Sequence, residues 1–338
     1  MVDYLREYKG KNVLITGGAG CIGSNLTRAL INYEALKIIV LDDLSAAEKW
    51  NVPIDPSVVF IEGSILDDEV LRRAFSDEVD YVFHLAAHFA NQNSVDNPET
   101  DLDVNGKGIL KVLQYSHIAK VKRFVYASSG CSVYGSEAPL PLTEDYVSLH
   151  LDTPYQITKL LGELYCNFFF NQYGLPIAIA RFFNCCGSGE IPGAYRNVIP
   201  NFIWWALHNQ PLPITGTGEE TRDFTHVSDI VDGTLRLGTH PKAVGDAFNL
   251  ASGKETKVKD IAKMVLDITG SKSGTIAKPR RDWDKIVRRR ASIAKAKGIL
   301  EYEPQKTVED GVKDAYKWIK DSFYVGKFER ISRCARFL

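Results

Sequence analysis

The chain has 338 residues, of which 45% are hydrophobic and 25% charged, and this composition excludes a largely disordered protein. Its 41 lysines and arginines nearly balance its 42 acidic residues, so the net charge of −1 provides no general attraction to nucleic acid or to an anionic membrane. We expect neither as a partner, and any anionic ligand must be bound by local groups.

The cysteines are typical of reduced thiols, because they lack the CxxC spacing of a zinc site and the density of a disulfide scaffold. They are Cys21, Cys131, Cys166, Cys185, Cys186 and Cys334. The first residues lack an apolar signal core, and no apolar run reaches the roughly 20 residues that span a bilayer. We therefore expect a cytoplasmic protein without a metal site.

Short runs rich in Val, Ile and Leu alternate with helical patterns through the first half of the chain. The runs predict strands at 12–16, 37–41, 58–61, 80–84, 122–127 and 176–181, and the patterns predict helices at 21–32, 67–75, 98–117 and 154–173. This alternation indicates an α/β fold with a doubly wound parallel sheet. Ligands of such sheets bind beyond the carboxyl ends of the strands.

The alternation stops at about residue 184. Helices are predicted beyond it at 198–208, 227–238, 257–269 and 308–321, between loops rich in Gly and Pro. We interpret residues 1–183 as a dinucleotide-binding domain and residues 184–338 as a smaller, mainly substrate-binding α/β part. This interpretation permits later segments of the chain to return to the first domain.

A glycine-rich segment connects the first predicted strand to the first predicted helix. Gly17, Gly20 and Gly23 have GxxGxxG spacing, and such glycines permit a tight turn and close approach of backbone N–H groups to a pyrophosphate. An ordinary strand–helix turn is the alternative. Asp42 ends the next strand, where its carboxylate can accept hydrogen bonds from ribose hydroxyls, and Asp42 with Asp43 repels a 2′-phosphate. The pattern therefore favours NAD over NADP.

Tyr155 and Lys159 are four residues apart near the start of a predicted helix, so both project from one face. An ammonium held there favours the phenolate, and we predict that it lowers the tyrosine pKa from about 10 toward neutrality. Tyr155 would then be a usable general base.

These motifs together resemble the extended short-chain dehydrogenase/reductases, and within them the nucleotide-sugar epimerases such as UDP-galactose (UDP-glucose) 4-epimerase. The resemblance covers nearly the whole chain. It is carried by the glycine segment 17–23, Leu41-Asp42-Asp43-Leu44, His84-Leu85-Ala86-Ala87, Ser94 with Pro98, Asn105, the run from Ser128-Ser129 to Val133-Tyr134-Gly135, Tyr155 with Lys159, Arg181-Phe182-Phe183-Asn184 and Arg222-Asp223-Phe224.

The resemblance implies a Rossmann-type fold, bound NAD and a nucleotide-diphosphate sugar, most simply a UDP-sugar, as substrate. The implied cofactor-binding residues are Gly17, Gly20, Cys21, Ile22, Gly23, Asp42, Asp43, Ser64, Ile65, Leu85, Ala86, Ala87, Asn105, Tyr155, Lys159 and Phe182. The implied substrate-binding residues are Ser129, Asn184, Asn197, Val198, Arg222 and Arg281, with Arg280 or Arg288 as substitutes for Arg281. Asn197 as a simple helix N-cap is an open alternative.

Three positions depart from the family pattern. Ser64 stands where an acidic residue usually follows Gly63, and Cys185-Cys186 interrupts the usual Tyr-Gly after Asn184. Gly130 occupies the position of a catalytic Ser or Thr. We expect Ser129, or else Ser132, to provide the missing hydroxyl.

The resemblance implies reversible epimerisation at C4 of the sugar through a transient 4-keto sugar. A nucleotide-sugar decarboxylase, reductase or dehydrogenase shares the fold and the Tyr–Lys pair, and an NAD-sensing protein without activity is the non-enzyme alternative. Gly130-Cys131-Ser132 replaces the adjacent Asp and Glu of dehydratases, so dehydration is not expected. Relatives pair through the two helices at 98–117 and 154–173, which implies a homodimer, with core packing as the alternative.

Overall fold

The computed structural model describes residues 4–323, so Cys334 lies outside the described residues. Its strands are β1 (Asn12–Thr16), β2 (Lys37–Asp42), β3 (Val58–Glu62), β4 (Tyr81–His84), β5 (Arg123–Ser129), β6 (Ile177–Phe182), β7 (Asn184–Cys186), β8 (Leu212–Thr215), β9 (Thr221–Arg222), β10 (Phe224–His226), β11 (Asp246–Leu250), β12 (Thr256–Lys257) and β13 (Thr275–Lys278). Its α-helices are α1 (Cys21–Asn32), α2 (Asp68–Ala74), α3 (Asn91–Asp96), α4 (Pro98–Asp101), α5 (Ile109–Ile118), α6 (Pro154–Tyr173), α7 (Val198–Leu207), α8 (Val227–Thr239), α9 (Val258–Thr269), α10 (Ala294–Leu300) and α11 (Val308–Phe323).

Seven of the strands form one parallel sheet in the order β3-β2-β1-β4-β5-β6-β11. The register brings Thr16, at the end of β1, beside Leu41 of β2 and His84 of β4. The carboxyl ends of these neighbouring strands therefore meet at one edge of the sheet. The predicted doubly wound α/β fold is confirmed.

The predicted helix at 98–117 is not continuous. It divides into α4, a π-helical turn at Leu102–Gly108, and α5. Gly106 and Gly108 lie within this turn, and glycine weakens the preference of a segment for regular α-helix. By contrast, α1 and α6 begin and end at the predicted residues, because their apolar periodicity is uninterrupted.

Residues beyond 183 contribute both to a separate helical core and to the central sheet. The helices α7, α9 and α11 pack around a core of their own that includes Phe202, Ile261 and Val312. However, β11 is the seventh strand of the central sheet, and α8 packs against α1. The chain thus crosses back after residue 184, while the assignment of 184–338 mainly to substrate binding stays a prediction.

Among the helices between residues 4 and 323, none combines the length and the apolar character that a membrane crossing requires. In the same part of the chain, no group of three or more His, Cys, Asp or Glu side chains is arranged to hold a metal ion.

Candidate active site

A cavity of about 570 Å³ opens beyond the carboxyl ends of the central strands, between the sheet and the segment that follows β7. The predicted site residues that line it are Gly17, Gly20, Cys21, Ile22, Gly23, Asp42, Asp43, Ser64, Ile65, Leu85, Ala86, Ala87, Ser129, Ser132, Tyr155, Lys159, Phe182, Asn184, Asn197 and Arg281. Among the described residues, Asn105, Val198 and Arg222 are predicted site residues that do not line it.

The glycine-rich segment has the geometry that a dinucleotide requires. Gly17 has φ +71°, and a Cβ there would lie 2.6 Å from the backbone nitrogen of Ala86. A Cβ on Gly23 would lie 2.5 Å from the carbonyl oxygen of Gly17, so the first turn of α1 packs directly on the loop. These contacts leave the N-terminus of α1 facing the cavity, where backbone N–H groups and the helix dipole suit a pyrophosphate.

Asp42 lies at the cavity wall with both carboxylate oxygens engaged. Oδ2 accepts a hydrogen bond from the Ala19 N–H at 3.0 Å, and Oδ1 accepts one from the Leu44 N–H at 2.9 Å. Burial raises the pKa of this carboxyl group above its usual value, although both hydrogen bonds act in the opposite direction. The carboxylate is thereby fixed in orientation beside the space predicted for a ribose.

Tyr155 and Lys159 occupy one buried face at the start of α6. The helix begins after Thr153, whose side chain accepts from the Gln156 N–H, and the Tyr155 N–H donates to Ser94 Oγ at 3.0 Å. The Lys159 ammonium donates to the carbonyl oxygen of Ala127 at 2.8 Å and lies 5.6 Å from the centre of the Tyr155 ring. The predicted juxtaposition of a phenol and an ammonium in one cavity is thus present.

Burial dominates the protonation of both groups. It lowers the pKa of Lys159 to about 8, although the nearby Asp101 carboxylate raises it, and it raises the pKa of Tyr155 above the usual value for a phenol. The prediction that the pKa of Tyr155 moves toward neutrality is therefore wrong for the protein's own groups, because burial, together with Asp101 and Cys131, raises it. A positively charged group of a bound ligand beside Tyr155 would lower the pKa of the phenol, which is the direction that we predicted.

The structure explains why residue 130 is a glycine. Gly130 continues the pairing of β5 with β6, since its N–H donates to the Phe182 carbonyl at 2.8 Å. A Cβ at this position would lie 2.1 Å from Cε2 of the buried Phe183 ring. A serine or threonine at residue 130 is therefore incompatible with Phe183 in its present place.

The two serines proposed to replace a hydroxyl group at residue 130 lie next to each other. Ser132 Oγ donates to Ser129 Oγ at 2.9 Å, and both side chains line the same cavity as Tyr155. The two serines that the sequence left as alternatives are therefore joined by a hydrogen bond and form one hydroxyl pair.

The start of α7 is occupied by a carboxylate that the sequence analysis missed. Glu190 accepts from the backbone N–H of Asn197 and from its side-chain amide, each at 3.0 Å, and burial raises the pKa of Glu190. Asn197 stands at the N-cap position of α7 without a capping hydrogen bond from its side chain, and it also lines the cavity. A buried acidic residue seven positions before a helix start gave no sequence signal for this contact.

The three candidate arginines of the late segment occupy different positions. Arg281 lines the cavity, and its guanidinium lies 5.7 Å from the Trp283 ring centre. Within residues 4–323, neither Arg280 nor Arg288 lines the cavity, and Arg288 forms a two-bond pair with Glu255. The structure thus favours Arg281 among the alternatives.

Arg222 and Asn105 have structural partners in place of cavity positions. Arg222 pairs with Asp284 at 3.3 Å, next to the Arg281 segment. Asn105 accepts from the His88 N–H at 2.8 Å and donates to the buried Asp101 carboxylate at 2.9 Å. Asn105 therefore supports the loop after β4 by hydrogen bonds, while its assignment to cofactor binding stays a prediction.

That loop holds further cavity residues that the sequence did not single out. Phe89 packs edge-on against the Tyr155 ring, and the Trp283 indole N–H donates to Gln92 at 2.9 Å. Ala90 has φ 85° and ψ 139°, a conformation that residues with a Cβ rarely adopt. No local sequence signal marks such a residue, because alanine has no preference for this region.

We expect Gly130→Ser to destabilise the protein by about 1–3 kcal/mol, because the added side chain overpacks against Phe183. Unfolding in denaturant measures this, and the double variant with Phe183→Leu should lose less stability than the sum of the single changes. Gly298→Ser is the matched control, since no atom lies within 4 Å of a Cβ built at that helical position. Equal stability of Gly130→Ser and the unchanged protein contradicts the proposed clash.

Lys159 makes stability depend on pH in a defined direction. Because burial lowers its pKa from 10.5 to about 8, the unfolded chain holds between these values a proton that the folded protein has released. Relative to Lys159→Met, the unchanged protein should gain stability as pH rises from 8 to 10, approaching roughly 3 kcal/mol, and the difference should be constant below pH 7. Denaturant unfolding across this range measures it, with the exposed Lys272→Met as control. Parallel curves for the unchanged protein and Lys159→Met contradict the shift.

Comparison with known proteins places the chain in one family. The model of the NAD dependent epimerase/dehydratase family matches residues 13–251. A putative UDP-glucose 4-epimerase of Methanocaldococcus jannaschii is 33% identical over 92% of this chain and 99% of its own length. A UDP-N-acetyl-alpha-D-glucosaminuronate decarboxylase of Bacillus cytotoxicus is 31% identical over 92% of this chain and 98% of its own.

Solved structures agree with this placement. An epimerase from Methanothermobacter thermautotrophicus is 54% identical, with a TM-score of 0.94 over 96% of each chain. The Bordetella bronchiseptica enzyme WbmF, in complex with NAD⁺ and UDP, is 36% identical, with a TM-score of 0.84 over 98% of this chain and 97% of its own. The resemblance seen in the sequence motifs is confirmed, as is NAD as the cofactor. The chain belongs to the NAD-dependent epimerase/dehydratase family of extended short-chain dehydrogenases/reductases.

Proposed function

We propose that the protein is a cytoplasmic 4-epimerase of a UDP-hexose that works through a transient 4-keto sugar. The observation that carries the proposal is one cavity in which Tyr155, backed by Lys159, shares the space with the hydroxyl pair Ser129–Ser132. The same cavity is bounded by the glycine-rich segment that suits a dinucleotide. Acid–base groups and a redox cofactor are the two components that inversion at a carbinol carbon requires.

Tyr155 accepts the proton of the sugar C4 hydroxyl and later returns it. NAD, held by the glycine-rich segment and Asp42, would supply reversible hydride acceptance at C4 of the sugar. The Lys159 ammonium favours the phenolate form of Tyr155, and its own position is fixed by the Ala127 carbonyl. The Ser129–Ser132 pair offers a second route for the proton along hydrogen-bonded hydroxyls.

The rest of the cavity supports a nucleotide-diphosphate sugar as substrate. Arg281 provides a guanidinium for a phosphate, and Asn184 provides an amide that already accepts from the Cys131 thiol at 3.3 Å. Firm contacts to the nucleotide with few contacts to the hexose allow the keto sugar to turn over between the two hydride transfers. No net oxidation results, so retained NAD suffices.

Two features argue for epimerisation over the related reactions. The segment Gly130-Cys131-Ser132 places no carboxylate beside Tyr155, whereas elimination of water needs an acid and a base there. The hydroxyl pair and the phenol suit proton exchange at an oxygen. A decarboxylase, reductase or dehydrogenase is an outcome of the test below, because the family shares the Tyr–Lys pair among these reactions.

Proton NMR of the purified protein with UDP-glucose, UDP-N-acetylglucosamine or UDP-glucuronate, in separate tubes and without added NAD, tests the function. We expect the galacto-configured anomeric signal to appear in one or more tubes. Tyr155→Phe should lower the rate by about 10²–10⁴-fold, because the proton acceptor is removed, while the protein still binds NAD.

The serine variants separate the two hydroxyls. If Ser129 contacts the sugar, Ser129→Ala should reduce the rate more than Ser132→Ala, which then loses only the support of a hydrogen bond. Unchanged spectra with all three sugars contradict the proposal, as does loss of carbon dioxide from UDP-glucuronate or accumulation of NADH. Full activity of Tyr155→Phe contradicts the role given to that residue.

We also propose a homodimer formed through the helical segment 98–117 and α6. Ile157, Leu164 and Phe168 lie on one face of α6 and are 53%, 56% and 49% exposed, which is high for large apolar side chains. Light scattering should give twice the chain mass of 37.7 kDa, and Leu164→Glu should shift it to the monomer mass. Leu36→Glu, at a 66% exposed leucine outside these helices, should leave the dimer intact. A monomeric mass for the unchanged protein contradicts the dimer.

A further inference from the structure

Two cysteine thiols face each other in the wall of the cofactor cavity. The Sγ atoms of Cys21 and Cys185 are 4.0 Å apart, although the residues are separated by 164 positions in the chain. Both side chains are partly exposed and line the cavity, so a small reagent that enters the cavity reaches them. The reaction and the binding contacts described above use neither thiol group.

The backbone on each side holds the pair in place. Cys21 is the first residue of α1, directly after the glycine-rich segment, and Cys185 is the central residue of β7. The segment after β7 packs on the same helix end: a Cβ built on Gly189 would lie 3.3 Å from the Cys21 Cα, and the Ser188 carbonyl accepts from the Cys21 thiol at 3.4 Å. A disulfide needs a sulfur separation of about 2.05 Å, so the two sulfur atoms must approach each other by about 2 Å.

The adjacent Cys186 does not compete for this contact. Consecutive side chains of a strand point to opposite faces, and Cys186 is only 2% exposed. Its Sγ lies 2.4 Å from the position of a Cβ built on Gly311, on the side of α11. The geometry therefore selects Cys185 as the partner of Cys21.

We propose that Cys21 and Cys185 form a thiol-modification site, which a low-molecular-weight disulfide converts to an intramolecular disulfide and which bound NAD protects. This inference depends on the NAD dependence of the family and not on the proposed 4-epimerase reaction. Disulfide formation and NAD binding would thus exclude each other, because both occur at the place predicted for the pyrophosphate.

The reaction is a double thiol–disulfide exchange. The Cys21 thiol loses its proton, attacks one sulfur of the small disulfide and releases one thiol, leaving a mixed disulfide on Cys21. The Cys185 thiolate then attacks the Cys21 sulfur and releases the second thiol. The two protein thiols lose two protons and two electrons, and the small disulfide gains them.

The disulfide and NAD oppose each other. Drawing Cys21 toward β7 displaces the first N–H groups of α1, which face the space for the pyrophosphate. NAD in that space blocks the small disulfide and the movement of Cys21. By linkage, the factor by which NAD disfavours the disulfide equals the factor by which the disulfide weakens NAD binding, and we expect at least tenfold.

The test uses the full chain with its NAD removed on charcoal, incubated at pH 8 with 2-hydroxyethyl disulfide, with and without saturating NAD. Samples are alkylated, digested and analysed by mass spectrometry for the peptide pair joined through Cys21 and Cys185. We expect this pair to form in the protein without NAD and to form at least tenfold more slowly with NAD. The oxidised protein should bind NAD at least tenfold more weakly, and dithiothreitol should restore binding.

Two variants control the assignment. Cys185→Ser should eliminate the linked peptide pair, whereas Cys186→Ser, which changes the neighbouring thiol on the opposite face, should leave its rate within twofold. Absence of the pair in the unchanged protein, a link from Cys21 to another cysteine, or equal rates with and without NAD overturns the proposal. Since the unchanged protein alone gives these outcomes, a variant that fails to fold does not prevent a decision.

Discussion

The hydrogen bond from the Lys159 ammonium to the Ala127 carbonyl is the interaction on which the site depends, because it connects the start of α6 to the end of β5. Burying an ammonium group costs free energy unless hydrogen bonds or opposite charges compensate for the lost water. The lowered pKa of Lys159 reflects that cost. Glu163, one turn further on the same face, forms a buried ion pair with Arg181 of β6 at 2.8 Å. The helix is thus attached to two adjacent strands by charge-assisted contacts, and the position of Tyr155 follows from both.

The loop after β5 shows how one substitution changes the arrangement around this anchor. Phe183 fills the space of a side chain at residue 130, and the hydroxyl groups of Ser129 and Ser132 lie on either side of Gly130-Cys131. Ser129 ends a strand whose pairing continues through the Gly130 N–H, so its direction is set by the sheet. Ser132 lies in the turn and is fully buried. The hydroxyl group of Ser129 is therefore positioned by the backbone of the sheet, and that of Ser132 by the buried side chains around it.

Sequence predicted those parts of the molecule that local chemistry determines. The helix α6 has the bounds that its apolar periodicity predicts, and local groups stabilise both ends: Thr153 caps it, Pro154 suits its first turn and Gly174 adopts the left-handed conformation that ends it. Contacts between distant segments left no such signal. Glu190 and the Asn105 brace depend on loops that the tertiary fold brings together, and the raised pKa of Tyr155 depends on burial, which a spacing of four residues does not report.

Charge near the cavity is arranged locally because the chain as a whole has a net charge of −1. Glu190 accepts from the backbone N–H and the side-chain amide of Asn197, so an acidic side chain lies next to the N-terminus of α7. Among the described residues, the arginines that line the cavity are Arg196, just before α7, and Arg281 of the late segment. Asp284 lies within 3.3 Å of Arg222 and 3.7 Å of Arg280, and it holds these guanidinium groups together beside Arg281 despite their mutual repulsion. Asp284 thus keeps Arg222 and Arg280 in ion pairs away from the cavity wall, whereas Arg281 of the same segment lines the cavity.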